Sequence, residues 1–156
     1  MRLRCILAIV SVMEAPDIVH AAATAIMTEV LTCQKDANKK SREAASELLH
    51  FFLHQAPVDA MFDLLQTSLR NATSASLRSS ALQALSTQLV FKRENDGLLS
   101  EALQLLPHIS SLLQVQNLEL SRAVLGFLRV CINVLPRETI MEVARVVVPS
   151  IFVQIG

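Results

Sequence analysis

The chain has 156 residues, 52% of them hydrophobic and 18% charged, and its formal net charge is zero. That length suits one ordinary domain with a substantial core, and the balanced charge removes any global electrostatic case for binding nucleic acid or a membrane. With 3 glycines and neither Trp nor Tyr, the apolar content is aliphatic and glycine is too scarce for an all-β chain of tight turns, so an all-helical structure is expected.

Residues 1–13, MRLRCILAIVSVM, carry Leu3, Ile6, Leu7, Val10 and Met13 at helical spacing, which predicts a first helix over about 2–13. The basic start and short apolar run also resemble a secretory signal, although no convincing small-x-small cleavage motif follows. A start chosen inside a longer protein is the third reading. No stretch reaches the roughly 18 uninterrupted apolar residues of a membrane span.

Pro16 and Asp17 open the next helix, to about Cys33, with Ile18, Val19, Ala22, Ile26, Val30 and Leu31 inward. Proline suits a helix start because its missing N–H would be unpaired there anyway. A polar, basic turn follows, and Asn38 is the expected N-cap of a helix over 39–54. Ala44, Ala45, Leu48, Leu49, Phe52 and Leu53 form its apolar stripe, with small residues early for a close backbone and bulky ones later. This antiparallel pair is the unit on which the rest of the chain is patterned.

Pro57 precedes a helix over 58–69 with Met61, Leu64, Leu65 and Leu69 inward, and NATSAS at 71–76 is a cap-rich linker. The helix over 76–90 turns Leu77, Ala81, Leu82, Leu85 and Leu89 inward and stops at KRENDG, 92–97, whose Asn-Asp-Gly is a turn signal. Helices over 98–113, 120–135 and 138–153 complete the chain. Pro107 should kink or divide the first of these, the last is either interrupted at Pro149 or continues as a frayed end, and VQNLE at 115–119 separates the first two. Gly126, within VLGFLRV, is expected at a close helix contact. Leu48, Phe52, Leu85, Gly126 and Phe127 are the core candidates.

Pairing these segments gives about four helical hairpins with boundaries near 34–38, 71–75, 92–97 and 115–118. Arg42 and Arg78 each precede an alanine at +3 and a leucine at +7; around Arg122 the match is poor, with Leu125 at +3 and Arg129 at +7. The Arg42–Arg78 and Arg78–Arg122 spacings are 36 and 44 residues, the first just short of and the second within the period of about 40–47 in HEAT and armadillo repeats. The expected architecture is therefore an α-solenoid of that kind over 1–156, one helical-repeat domain and a segment of a longer solenoid. A globular helical bundle is the alternative.

The chain offers little chemistry of an active site. There is no Gly-rich phosphate loop, no GxSxG elbow and no serine–histidine–acid order. His50 and His54 are spaced i,i+4, but HFFLH lacks the acid of the HExxH zinc signature. Cys5, Cys33 and Cys131 have no paired spacing and read as small buried hydrophobes in a reducing compartment. Neither an enzyme, a cofactor, a metal nor a small-molecule substrate is expected.

The one concentrated charge feature is Lys35, Lys39, Lys40 and Arg42 around the 34–38 turn. A helix start disfavours cations, so these residues read either as a solvated turn or as a contact for phosphate or an acidic protein surface. Asp36, Glu43 and Glu47 dilute the field; Lys92-Arg93 is a weaker spot, and Arg2 and Arg4 could add to a basic rim. No aromatic residue is interleaved with these cations, which gives no support for stacked bases.

EVLTCQKDANKKSREAASELL at 29–49 resembles a segment of the ribosomal RNA-processing protein 12-like family, large nucleolar HEAT-repeat proteins of ribosome assembly. The matching positions are Lys35, Asn38, Lys39 or Lys40, Arg42, Ala44, Ala45 and Leu48. SRAVLGFLRVCINVLPRETI at 121–140 is similar to a later helix of that family, at Ser121, Ala123, Leu125, Gly126, Phe127, Val130, Leu135 and Pro136. The resemblance implies a non-catalytic scaffold of the nucleolus and nucleus. It would work in small-subunit precursor assembly, rRNA maturation or export, contacting ribosome-assembly proteins and pre-ribosomal RNA. Family members are far longer, so the chain would be a fragment or reduced relative. A generic HEAT or armadillo interaction adaptor is the other functional expectation.

Overall fold

The computed structural model describes the backbone of residues 2–155, and their side chains except those of 142, 146, 150 and 153–155. Among the described residues it is all-α, a multi-helix chain whose contacts gather into two compact units, Met1–Ala84 and Leu85–Gly156.

The first unit holds α1 (Arg2–Val10), α2 (Pro16–Cys33), α3 (Lys39–Gln55), α4 (Val58–Asn71) and most of α5 (Ala75–Phe91). Helix α3 packs against α1, α2 and α4, and α2 reaches past α3 to α4. The expected stripe of α3 is fully realised, since Ala44, Ala45, Leu48, Leu49, Phe52 and Leu53 are its buried residues. Phe52, Phe62 and Leu48 are completely enclosed, and burying side chains of this size stabilises by roughly 1.5–3 kcal/mol each. Leu85, just beyond the unit boundary in α5, is equally enclosed.

The helix ends follow local chemistry. Helix α1 stops three residues short of expectation, because Val12 and Met13 donate to the carbonyls of Ile9 and Val10, tightening the chain. Ser11 Oγ donates to Ala8 O at 3.0 Å, and the residue before Pro16 cannot favour helical backbone. Ser74 Oγ accepts from Leu77 N at 3.1 Å and so caps α5, as the cap-rich linker suggests.

The second unit holds the end of α5, α6 (Asp96–Ser111), a 3₁₀ turn (Leu112–Gln114), α7 (Leu118–Val134) and α8 (Arg137–Ile155). Helix α6 packs on α7 and α8, and the 3₁₀ turn touches all three. Helices α6 and α7 each begin two residues early because an asparagine caps them. Asn95 Oδ1 accepts from Leu98 N at 3.0 Å and Asn117 Oδ1 from Leu120 N at 2.9 Å. Asn-Asp-Gly is thus the first turn of a helix. Gly97 has no positive φ, and a Cβ there would come within 3.3 Å of the capping oxygen. Neither internal proline divides its helix: α6 is continuous through Pro107 and α8 through Pro149.

Several inward assignments are corrected. Ile18 is 54% exposed, while Ala22, Ile26, Leu64 and Leu77 are only half-buried. The neighbours Ala23, Met27 and Phe62 take the inner positions instead. In α5 four consecutive residues, Ser79, Ser80, Ala81 and Leu82, are fully buried, so that turn is covered on every side. The hydroxyls of Ser79 and Ser80 have no hydrogen-bond partner.

Gly126 is the clearest correction. It is exposed, and a Cβ added there would meet nothing within 4 Å; Phe127 beside it is the enclosed residue. The reason is register: Gly126 stands one position off the buried face of α7. Overpacking by a larger side chain is therefore not expected. Gly126→Ala should instead raise stability by about 0.5–1 kcal/mol through lost backbone freedom in the unfolded chain, measured as a higher urea midpoint at unchanged slope.

Candidate functional site

The α2–α3 turn is tied by three side chains. Asp36 Oδ1 accepts from Asn38 N at 2.9 Å, and Asn38 Oδ1 accepts from Lys40 N at 2.9 Å, which is the expected N-cap. Arg42 reaches back from the first turn of α3, its Nη1 donating to Asp36 O at 2.7 Å and to Ala37 O at 2.9 Å. Half-buried, Arg42 is thus given a structural use that its place at a helix start conceals. A charged donor on two carbonyls forms a stronger link than a neutral hydrogen bond.

Lys35, Lys39 and Lys40 are exposed around this turn. Lys39 Nζ lies 3.6 Å from Glu43 Oε1, an i,i+4 pair with both side chains largely in water, and such pairs contribute little. Lys40 faces a cleft of about 560 Å³ between α1 and the adjoining ends of α2 and α3. Its polar rim is Arg2, Arg4, Glu29, Asn38, Lys40 and Ser41, and Leu3, Cys5, Ala8, Cys33 and Ala44 complete the lining. Arg2 Nη2 pairs with Glu29 Oε2 at 3.1 Å, which joins α1 to α2. Arg2 and Arg4 therefore do join a basic rim, with Lys40 rather than with the whole cluster. Against these three cations the rim sets one carboxylate, Glu29, which already pairs with Arg2.

The three cysteines do not share one environment. Cys5 is exposed, Cys33 half-buried and Cys131 buried, and all are free; only Cys131 fits the expectation of a buried hydrophobe. Burial pushes the Cys131 thiol up to about 12. Cys33 is also raised, by desolvation first and then by the negative charges of Asp36 and Glu29. Neither is poised as a thiolate nucleophile. Iodoacetamide at pH 8 is expected to alkylate Cys5 first and Cys33 slowly. It should reach Cys131 only after denaturation, as peptide mapping over time would show. Stability should also fall as pH rises from about 9 toward 12, because the unfolded Cys131 thiol ionises first.

His50 and His54 lie against each other on the outside of α3, ring centroids 4.4 Å apart and planes tilted by 60°. With Leu7, Phe51 and Gln55 they line a shallow apolar groove. Among the described residues no group of three or more His, Cys, Asp or Glu side chains could hold a metal ion, and no helix is long and apolar enough to cross a membrane. In the second unit, Lys92 and Arg93 lie in the α5–α6 turn beside Val90 and Phe91. Phe91 is 41% exposed, so an aromatic ring does adjoin this weaker basic spot. It escapes a reading of charge because it also completes the apolar end of α5.

The fold defines the chain as an all-α, multi-helix protein among its described residues. No protein-family model and no curated protein matches the chain, so the likeness of residues 29–49 and 121–140 to ribosome-assembly proteins rests on those residues alone.

Proposed function

We propose that the chain is a stretch of stacked helical repeats, of the HEAT or armadillo kind, that serves as a protein-interaction scaffold. Its α1–α3 cleft would hold an acidic segment of a partner. The stacking reading is supported by helices that pack on their next-but-one neighbour: α1 on α3, α2 on α4 and α6 on α8. Hairpins laid side by side produce this pattern. The observation that carries the binding reading is the convergence of Arg2, Arg4 and Lys40, from two helices distant in sequence, on one cleft.

A second reading follows from Lys35 and Lys39, exposed at the same turn. Phosphate would supply counter-charge to a row of lysines as well as a carboxylate would. In that case the chain is a scaffold of nucleolar small-subunit assembly that touches pre-ribosomal RNA.

The test is affinity purification from native cells, with and without ribonuclease, of the chain and of a variant with Arg4, Lys35, Lys39 and Lys40 changed to Ser. Arg42 and Arg2 are kept because they hold the turn and the α1–α2 pair. The variant should melt within a few degrees of the parent and recover less partner. Ribonuclease-resistant recovery of an acidic protein supports the adaptor; ribonuclease-sensitive recovery of small-subunit assembly factors supports the ribosomal reading. Recovery unchanged by the four substitutions across a salt titration would reduce the cluster to a solvated turn.

A further inference from the structure

The outer face of α7 carries a pattern that the core does not use. Leu118, Leu125 and Ile132 are 68%, 48% and 51% exposed, each separated from the next by seven positions. Arg122 and Arg129, also exposed, stand between them. At about 100° and 1.5 Å per residue, these five side chains fall within roughly 80° of one another along about 21 Å of helix. The buried face of α7, through Leu120, Val124, Phe127 and Cys131, is a separate one. Three large aliphatic groups therefore meet water where a surface helix ordinarily turns polar residues outward. The only acid in α7 is Glu119, in its first turn, so the helix itself sets no carboxylate along the middle and end of the stripe.

Gly126 adjoins this stripe, four residues after Arg122 and three before Arg129. Nothing lies within 4 Å of where its Cβ would be. A glycine inside a helix costs stability, and no contact among the described residues requires this one. What it creates is an open notch between two arginines, where another backbone can come close.

We propose that this face docks an amphipathic helix of a partner protein whose apolar ridge is flanked by glutamate or aspartate. A helix laid along α7 presents an apolar residue every seventh position to Leu118, Leu125 and Ile132, as in a coiled-coil seam. Arg122 and Arg129 then select acidic flanking residues, with which a guanidinium forms two parallel hydrogen bonds. An anionic membrane fits the stripe less well, because its arginines stand in line with the aliphatics instead of on an opposite polar face. RNA would leave the aliphatics unused. The face shares no residue with the α1–α3 cleft, so its test stands or falls apart from the proposed function.

The experiment titrates the full chain into a fluorescein-labelled helical peptide of three heptads, with leucine at the seam and glutamate on both flanks. A twin carries lysine for glutamate. The glutamate peptide should bind at least about tenfold more tightly, with an affinity that weakens as salt rises. Arg122→Ser with Arg129→Ser should erase the preference between the twins. Gly126→Ala should weaken binding of the glutamate peptide although it raises the melting temperature, a divergence that general destabilisation cannot produce. Equal binding of the twins, no binding of the glutamate peptide, or a preference that survives loss of both arginines would overturn the proposal. So would tighter association with phosphatidylserine vesicles, or a dimer in sedimentation that Leu125→Ser dissolves; these would assign the face to a membrane or to a second copy.

Discussion

Leu48→Ala is expected to lower the free energy of unfolding by about 2–5 kcal/mol, a large fraction of what holds a domain of this size together. Leu48 is completely enclosed in α3, the helix against which α1, α2 and α4 all pack. Its truncation removes transfer energy and leaves a cavity that three neighbouring helices cannot close together. Urea denaturation followed by helical circular dichroism measures the loss. Phe127→Ala, from the equally enclosed Phe127 of α7, should cost about 3–5 kcal/mol in the second unit. A change under about 0.5 kcal/mol for Leu48→Ala, the range of surface substitutions, would mean that the α3 stripe is not a packed interface.

Ala45→Asp should be more damaging at neutral pH. Ala45 is fully buried, in the helix that makes the most extensive packing of the first unit, with α2. A carboxylate at this fully buried position gives up its water, and that desolvation costs several kcal/mol. Desolvation raises the pKa of a buried carboxyl group. The folded variant therefore holds its proton where the unfolded chain has lost it, and stability falls as pH rises through that window. Thermal melts should show no cooperative transition for the first unit at pH 7. Part of the deficit relative to the parent should be recovered as the pH is lowered toward about 4, near the ordinary Asp value. An equal deficit at both pH values would point to steric overpacking instead of buried charge.

Helix existence and spacing were legible from periodicity and caps. Six of the α3 residues with helical spacing form its buried face, and Asn38 caps as its place before the stripe suggests. Periodicity tells which residues share a face; it does not tell how many faces will be covered. In α5 the serines at 79 and 80 look like the wet side of an amphipathic helix, yet both are enclosed. The same limitation explains Gly126, whose neighbours on both sides are apolar although only Phe127 faces inward. At the candidate site, the lysines were visible as a charge run. The cleft was not, because Arg4 and Lys40 come together only when α1 lies against α3. Arg42 belongs with the lysines on sequence alone, since nothing local shows that its guanidinium turns back onto the carbonyls of Asp36 and Ala37.

The packing order also carries a consequence for how the protein is made. The principal contacts of α1 to α4 join each helix to the next or the next but one, so no early helix must await a distant stretch to begin covering its apolar face. Topologies of such short sequence separation fold fast, and chains are generally organised from the N-terminus as they are synthesised. As α3 clears the ribosome, α1 and α2 already have their main partner. The interval in which Leu31, Leu48 or Phe52 is open to aggregation is therefore set by the synthesis of one further helix, and not by completion of the chain.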